Sequence, residues 1–158
     1  MKVLVIGGVA AGTKAAAKLK REDRSIEVTV ISKDKDISYA GCGLPYYVGG
    51  MIEEPGELIV NTPEKYAALT GVTVLTGKEA IRLDVASKSV AVKDVATGEE
   101  EMLGYDKLVI SVGASPSVPP VKGMGLSGVF TMRTPDDAIR VRDYVQDNGV
   151  KNAAVVGA

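Results

Sequence analysis

The pattern of hydrophobic and polar positions near the start of the chain predicts two strands with a helix between them. Residues 3–6 are a continuous apolar run that ends at two glycines, the pattern of a parallel strand buried on both faces. Residues 11–24 are rich in Ala, Leu, Lys and Glu and lack Pro, which predicts a helix with a small-residue face against a sheet. Residues 26–31 are predicted to form the second strand. This order of strand, glycine turn, helix and strand predicts a right-handed βαβ unit.

The middle of the chain has the pattern of further strands of two kinds. Residues 72–75 predict a further short strand, and a short apolar run of the buried, parallel type returns at residues 108–110. Thr62 as the N-cap and Pro63 at the first position predict a helix over residues 63–69. Turn-rich segments separate three runs of antiparallel character, which are residues 78–84, 89–95 and 101–105. These elements predict an α/β fold with a parallel sheet and an antiparallel β-meander.

Beyond Gly113 the chain changes character. Three of the seven prolines lie between residues 114 and 128, which predicts a linker or surface loop. Thr134, Pro135 and an acidic first turn predict a helix that stops at residues 148–149. Residues 153–158 have the pattern of a new buried strand that reaches its first turn glycine. We expect residues 1–113 to form one domain, 114–150 a linker with a connecting helix, and 151–158 the start of a further domain.

Composition excludes several classes of function. The 158 residues carry 19 Lys and Arg against 20 Asp and Glu, so the charge pattern of a nucleic-acid binder is missing. Without His and with a single Cys, the chain can form neither a Ser/His/Asp triad, a CxxC couple nor a Cys/His zinc site. The first apolar run is too short to span a bilayer and has no plausible cleavage site, so we expect a reducing, cytoplasmic setting and a free thiol.

A glycine turn between the first strand and helix is the first candidate site. Gly7 and Gly12 occupy the outer positions of the G-x-G-x-x-G pattern, whose backbone N–H groups hold a pyrophosphate, and Val9 fills the middle position. The second strand ends in Ser32 and Lys33 where an acidic residue normally binds a ribose hydroxyl. The alternative is a turn that only packs the helix on the strand.

Cys42 is the second candidate, since it lies among glycines and tyrosines in residues 38–47. A thiol at the start of a short helix has its thiolate stabilised by the helix N-terminus and is open to a ligand. Such a setting favours a redox nucleophile. The alternative is a buried cysteine that acts as a small hydrophobic residue.

Three cations on the first predicted helix are the third candidate. Lys14, Lys18 and Arg21 follow the spacing i, i+4, i+7 and therefore share one helix face. They could hold phosphate groups. The alternative is an ordinary solvated face.

Together these residues resemble the flavoprotein pyridine nucleotide-disulfide oxidoreductases, within them the single-cysteine group of coenzyme A-disulfide reductases, NADH oxidases and persulfide reductases. The resemblance covers essentially the whole chain and is most specific around Cys42. It is carried by residues 7–12, 38–50, 62–65, 105–114 and 154–157. It implies a Rossmann-like FAD-binding three-layer fold, FAD and NADH or NADPH as cofactors, and a homodimeric full-length protein.

The resemblance also implies roles for individual residues. Cys42 would be the redox cysteine that takes electrons from the flavin, and Ser38 would be its nearby hydroxyl. Lys14, Lys18 and Arg21 would hold the phosphates of coenzyme A. Contacts to FAD would come from Gly7, Val9, Ala10, Ala11, Gly12, Ser32, Lys33, Ala80 and Gly113.

The activity that the resemblance implies is an FAD-dependent NAD(P)H:disulfide oxidoreductase acting on a small thiol or disulfide, with coenzyme A disulfide or a persulfide as substrate. The nicotinamide site would lie beyond residue 158, so this stretch alone would be catalytically incomplete. Oxidase and peroxidase members carry a His at the position of Ala10, which favours the reductase. An NADH oxidase or peroxidase on the same scaffold and a non-catalytic nucleotide-binding module are the alternatives.

Overall fold

The structure, a computed structural model, describes residues 1–157. In chain order the elements are β1 (Lys2–Ile6), α1 (Ala10–Glu22), β2 (Glu27–Ser32), α2 (Leu44–Val48), α3 (Pro63–Thr70), β3 (Thr73–Thr76), β4 (Lys78–Asp84), β5 (Ser89–Asp94), β6 (Glu100–Gly104), β7 (Lys107–Ile110) and α4 (Pro135–Asp147). Among the described residues, no helix has the length and apolar character needed to cross a membrane.

Four strands form a parallel sheet in the order β3-β2-β1-β7. Val5 in the central strand lies opposite Val30 on one side and Val109 on the other. Because β1 and β2 are parallel and joined by α1, the predicted βαβ unit is confirmed. The carboxyl ends of all four strands meet at one edge, which places the turn after β1 and the residues after β2 and β7 close together.

Both faces of the parallel sheet are covered, which explains why β1 carries a continuous apolar run. On one face, Val3, Val5 and Val30 pack against Ala16 of α1 and Tyr66 of α3. The other face packs against the second sheet, where the buried residues of the cluster are Leu4, Ile31, Val90 and Val92. Helices, parallel sheet and antiparallel sheet make three layers, so the predicted α/β fold with its β-meander is confirmed.

The second sheet is the meander itself, with strand order β4-β5-β6. Lys78 joins all three strands, because its Nζ lies 3.2 Å from a carboxylate oxygen of Asp94 and 2.9 Å from one of Glu101. The hydrogen bonds from Glu101 and Asp94 raise the pKa of Lys78. The ion cluster therefore fixes the start of β4 on its two neighbours.

Tyr66 ties the two helices of the first layer together. Its hydroxyl donates a hydrogen bond to the carbonyl of Thr13 in α1, and burial raises the pKa of the phenol. A tyrosine whose hydroxyl finds a partner can be buried at little polar cost. The bond fixes α3 on the first turns of α1.

The chain divides into two compact units. The first is Met1–Tyr39 with Ile59–Gly113 and contains both sheets. The second is Ala40–Leu58 with the chain from Ala114 onward, and its core is a cluster of Leu44, Tyr47, Leu58 and Ala138.

Helix α4 of the second unit begins as its sequence predicts. Thr134 and Asp137 form a reciprocal capping box, with Pro135 in the first turn. Burial opposes the charged form of Asp137. The N–H groups of Thr134 and Arg133 and the Arg140 guanidinium nevertheless lower the pKa of that carboxyl.

The structure corrects the sequence analysis at element ends and at one element. Predicted boundaries of the helices and sheet strands differ from the observed ones by one or two residues, as with the first helix, which starts at Ala10. The predicted strand over residues 153–158 is wrong for residues 153–157, which carry no strand; Ala158 lies outside the described residues. Val155 and Val156 are 89% and 93% exposed, because no strand of the described chain pairs with them.

Candidate functional site

The glycine turn follows β1 at the carboxyl edge of the parallel sheet. Gly7 has φ +108°, in the region that favours glycine, and its N–H donates to the carbonyl of Ile31 at 2.9 Å. A Cβ at Gly7 would lie 2.2 Å from the carbonyl oxygen of Ser111. Only glycine fits where the chain leaves β1 this close to the end of β7.

Gly12 brings the first turn of α1 onto the same place. A Cβ there would lie 1.8 Å from the carbonyl oxygen of Gly7, a backbone atom that no side-chain rotation can move. At Gly8, a Cβ would lie 2.7 Å from a methyl carbon of Ile37. A side chain at any of the three glycines would therefore clash with its neighbours. The turn does pack the helix on the strand.

The same turn leaves the start of α1 open to an anion. Within residues 1–157, no side chain caps the helix at Val9, and its first turn holds no acidic residue. Ala10 and Ala11 are exposed at this end, and the carbonyl of Val9 accepts the N–H of Thr13 at 3.3 Å. A helix N-terminus with free N–H groups and no carboxylate nearby is suited to a phosphate.

Ser111 locks the turn and was not identified from the sequence. Its hydroxyl donates to the carbonyls of Ile6 at 2.9 Å and Gly7 at 3.2 Å, while its N–H also donates to the Ile6 carbonyl at 2.8 Å. The available signal was a small hydroxyl residue directly after a predicted parallel strand. If that strand neighbours β1, its next residue must fall beside the turn.

Replacing Ser111 with Ala should loosen this turn without a steric conflict. The carbonyl of Gly7 loses one donor, so we expect the free energy of unfolding to fall by about 1 kcal/mol. Urea unfolding of the chain monitored by circular dichroism measures this loss. Ser117→Ala removes a hydroxyl from the exposed loop after Gly113 and is the control; equal stability of the two variants would contradict the role of Ser111.

The residues after β2 lie at the same edge of the sheet. Ser32 is only 6% exposed. Lys33 is exposed and its Nζ donates to a carboxylate oxygen of Glu79 at 2.9 Å. Ala80 packs against the core beneath the meander, and Gly113 lies exposed after β7 with φ +70°.

Ser38 is held against the glycine turn in a strained conformation. It has φ +50°, which is unusual for a residue other than glycine, and its N–H donates to the carbonyl of Gly8 at 2.9 Å. Its carbonyl accepts the N–H of Val60 at 3.0 Å, and Asn61 Nδ2 lies 3.4 Å from its Oγ. Of the two residues predicted to be catalytic, Ser38 is thus part of the first unit.

Cys42 belongs to the second unit and is exposed. It is the middle residue of a 3₁₀ turn over Gly41–Gly43, in which the Gly43 N–H donates to the Ala40 carbonyl at 2.8 Å. The expected position at a helix start needs a small correction, because Gly43 is the N-cap of α2 and Cys42 precedes it. The alternative of a buried hydrophobic cysteine is wrong, since Cys42 is exposed.

The three predicted cations lie exposed along α1. Lys18 pairs with Glu22 one turn further on, so its charge is partly neutralised. Arg21 borders an open groove of about 560 Å³ that is also lined by Arg24, Lys20 and the end of α3 at residues 68–71. Lys20 is engaged, because its Nζ donates to the carbonyls of Arg24 and Ile26 at 2.8 and 2.9 Å.

Comparison with known proteins gives one family over the full length. The sequence profile described as "Pyridine nucleotide-disulphide oxidoreductase" matches residues 1–158. The chain is 38% identical over 159 aligned residues to an NADH oxidase of Methanocaldococcus jannaschii, covering 100% of this chain and 35% of that protein. It is 33% identical to a coenzyme A disulfide reductase of Staphylococcus haemolyticus over 99% of this chain and 35% of that protein.

A solved structure agrees with these relatives. The structure of an NAD-dependent persulfide reductase from A. fulgidus superposes with a TM-score of 0.87 at 37% identity, over 93% of this chain and 27% of that one. The chain spans about a third of the length of the curated relatives it matches.

Proposed function

Because the chain belongs to the pyridine nucleotide-disulphide oxidoreductase family, we propose that it is the flavin-binding part of an NAD(P)H-dependent reductase of small disulfides or persulfides. The family uses FAD and a nicotinamide nucleotide. The single observation that carries the reductase activity is the exposed Cys42, the sole thiol of the chain, in a turn flanked by glycines. Relatives named for coenzyme A disulfide and persulfide reduction support this choice of substrate class.

The glycine turn fits the pyrophosphate of FAD. The backbone of Gly7, Val9, Ala10, Ala11 and Gly12 would hold it at the uncapped N-terminus of α1. A Cβ at Gly7 or Gly12 would collide with backbone, so a larger residue would displace the chain that offers the N–H groups. The helix end supplies positive potential without a competing carboxylate.

The end of β2 fits the adenosine side of FAD. The hydroxyl of Ser32 would donate to or accept from a ribose hydroxyl, and Lys33 would flank it while Glu79 holds its ammonium group. Ala80 and Gly113 would make further contacts with the flavin. Since Ser32 carries no charge, the interaction relies on hydrogen bonding alone.

The chemistry proposed for Cys42 is thiol–disulfide exchange. Its thiolate attacks one sulfur of the substrate disulfide, forming a mixed disulfide and releasing the other half as a thiolate. FAD, when bound, supplies the two-electron transfer that links NAD(P)H oxidation to reduction of this mixed disulfide. Two electrons and two protons overall then yield two thiols per disulfide, with the Cys42 thiolate restored. A persulfide would instead yield a thiol and hydrogen sulfide.

For coenzyme A as the thiol, the cations of α1 would hold its phosphates. Arg21 is the strongest candidate because Arg24 borders the same groove. Lys14 is exposed, and Lys18 would exchange Glu22 for a phosphate. Ser38 would serve the reacting thiol with its hydroxyl, which is held by the Asn61 amide.

An NADH oxidase is the second candidate, favoured by the name of the Methanocaldococcus jannaschii relative. In that reaction oxygen would accept the electrons in place of a disulfide. Ala10 supplies no acid–base group at the glycine turn, and we rank the reductase first for this reason.

The test uses the whole protein of which this chain is part. Purified enzyme is supplied with NADH or NADPH, and nucleotide oxidation is followed at equal concentrations of coenzyme A disulfide, an alkyl persulfide and dissolved oxygen. We expect a disulfide or persulfide to raise the rate at least tenfold over oxygen alone. An equal rate in air without either substrate would establish the oxidase, and a preparation without flavin absorbance would overturn both.

A further inference from the structure

Arg142 of α4 is bound to the segment that follows Cys42. Its Nη1 donates to the carbonyls of Ile52 and Glu53, each at 2.9 Å. The guanidinium carbon also lies 4.5 Å from the centre of the Tyr47 ring. A single planar side chain thus bridges two backbone acceptors and one aromatic face, a combination that only arginine offers.

Both contacts of Arg142 lead back to the cysteine turn. Ile52 meets that turn directly, since a Cβ at Gly43 would lie 3.4 Å from its Cδ1 atom. Its own N–H donates to Tyr46 in α2 at 3.3 Å. Tyr47 is buried in the cluster that includes Leu44, the first residue of α2. Arg142 therefore contacts Ile52 and Tyr47, and Gly43 and Leu44, the residues directly after Cys42, pack near them.

The first two residues of the turn, unlike the buried Gly43, have few contacts that fix them. Gly41 has no heavy atom within 4 Å of a Cβ position, and Cys42 is exposed. The turn is closed by the hydrogen bonds from Gly43 to Ala40 and from Leu44 to Gly41. A turn whose first two residues are exposed opens easily unless its neighbours restrain it.

We propose that Arg142 is a positioning residue for Cys42, holding the cysteine turn in its closed form through Ile52 and Tyr47. The proposal rests on the redox role proposed above only for its consequence in catalysis. Its structural content concerns the turn itself. Charged hydrogen bonds to two carbonyls, one partly buried and one exposed, are stronger than neutral ones, so their loss releases the segment locally.

The first test is amide hydrogen exchange of the chain with Arg142→Gln, Arg142→Lys and the control Arg140→Gln. Arg140 lies on the same helix and pairs with Asp137, so its replacement removes the same charge from α4 without touching residues 47–53. In Arg142→Gln we expect the amides of Gly43 and Leu44 to exchange roughly tenfold faster while those of β1 and β2 keep their rates. Arg142→Lys should recover part of the protection. Unchanged exchange at Gly43 and Leu44, or an equal increase in β1 and β2, would overturn the proposal.

The second test measures the reaction rate of the Cys42 thiol. A general loss of stability would not change this rate well below the melting temperature. As the sole cysteine, Cys42 reports alone when its thiolate attacks dithionitrobenzoate, forming a mixed disulfide and releasing one coloured thiolate. Measured well below the melting temperature from pH 6 to 9, the rate in Arg142→Gln should rise about fivefold at each pH, because an open turn admits the bulky reagent more often. Rates equal to those of Arg140→Gln would overturn the proposal. A full-length Cys42→Ser enzyme that kept its reductase activity would refute only the redox role and leave these results standing.

Discussion

Gly12→Ala is expected to destabilise the first unit by about 3 kcal/mol or more and to abolish flavin binding. The new methyl group would lie 1.8 Å from the carbonyl oxygen of Gly7. The backbone fixes the positions of both the methyl carbon and the carbonyl oxygen, so the clash can be relieved only if α1 moves away from β1. The proposed pyrophosphate site consists of the N-terminus of α1 and the glycine turn, and that movement separates the two. Urea unfolding of the chain and flavin absorbance of the purified whole protein measure the two effects.

Gly104→Ala is the matched control for this substitution. Gly104 ends β6 in the same unit, has no heavy atom within 4 Å of a Cβ position, and is not among the glycines with positive φ. The same methyl group there should leave stability within about 0.5 kcal/mol of wild type. If Gly12→Ala unfolds at the urea concentration of this control, the close contact at the turn is not what makes the glycine necessary.

The second large effect is expected from Cys42→Ser in the whole protein. Its hydroxyl stays protonated near neutral pH and forms no mixed disulfide, so disulfide-dependent oxidation of NAD(P)H should fall roughly 10³-fold. Because Cys42 is exposed and outside the glycine turn, flavin absorbance and the thermal midpoint should be retained. The measurement is a steady-state assay with and without coenzyme A disulfide.

Reduction of an artificial dye by NAD(P)H provides the internal control for Cys42→Ser. This reaction needs bound flavin and nucleotide but no thiol, and its rate should match wild type. A serine variant with full disulfide reductase activity would instead assign Cys42 no chemical role. Loss of both reactions together with the flavin would show that the cysteine turn serves cofactor binding.

The layered fold could be predicted from sequence because each of its signals is local. The continuous apolar run at residues 3–6 indicates a strand buried on both faces, and the structure places helices on one face of its sheet and the meander on the other. The residues of the glycine turn were also identifiable, since their spacing belongs to one short segment. In these places, local pattern and tertiary contact agree.

The missed features depend on contacts between segments far apart in the chain. Ser111 acts on Gly7 across 104 positions, and Arg142 acts on Ile52 across 90. Neither residue type is diagnostic by itself, because a serine after a strand or an arginine on a helix is ordinarily solvent-facing. The strand expected at residues 153–157 failed for a related reason: an apolar run forms a strand only where a neighbour pairs with it.

Between Tyr39 and Ile59 the chain leaves the first unit and returns to it, which has a consequence for how sequences of this family diverge. Tyr39 and Ile59 pair in an antiparallel bridge within the first unit, and the N–H of Ala40 donates to the Leu58 carbonyl at 2.7 Å within the second. The chain therefore leaves and re-enters the first unit through adjacent positions, as an inserted segment does. Changes in the sequence or length of residues 41–57 need not disturb the sheets. Evolution can then vary the segment that carries Cys42 while the two sheets of the first unit are inherited intact.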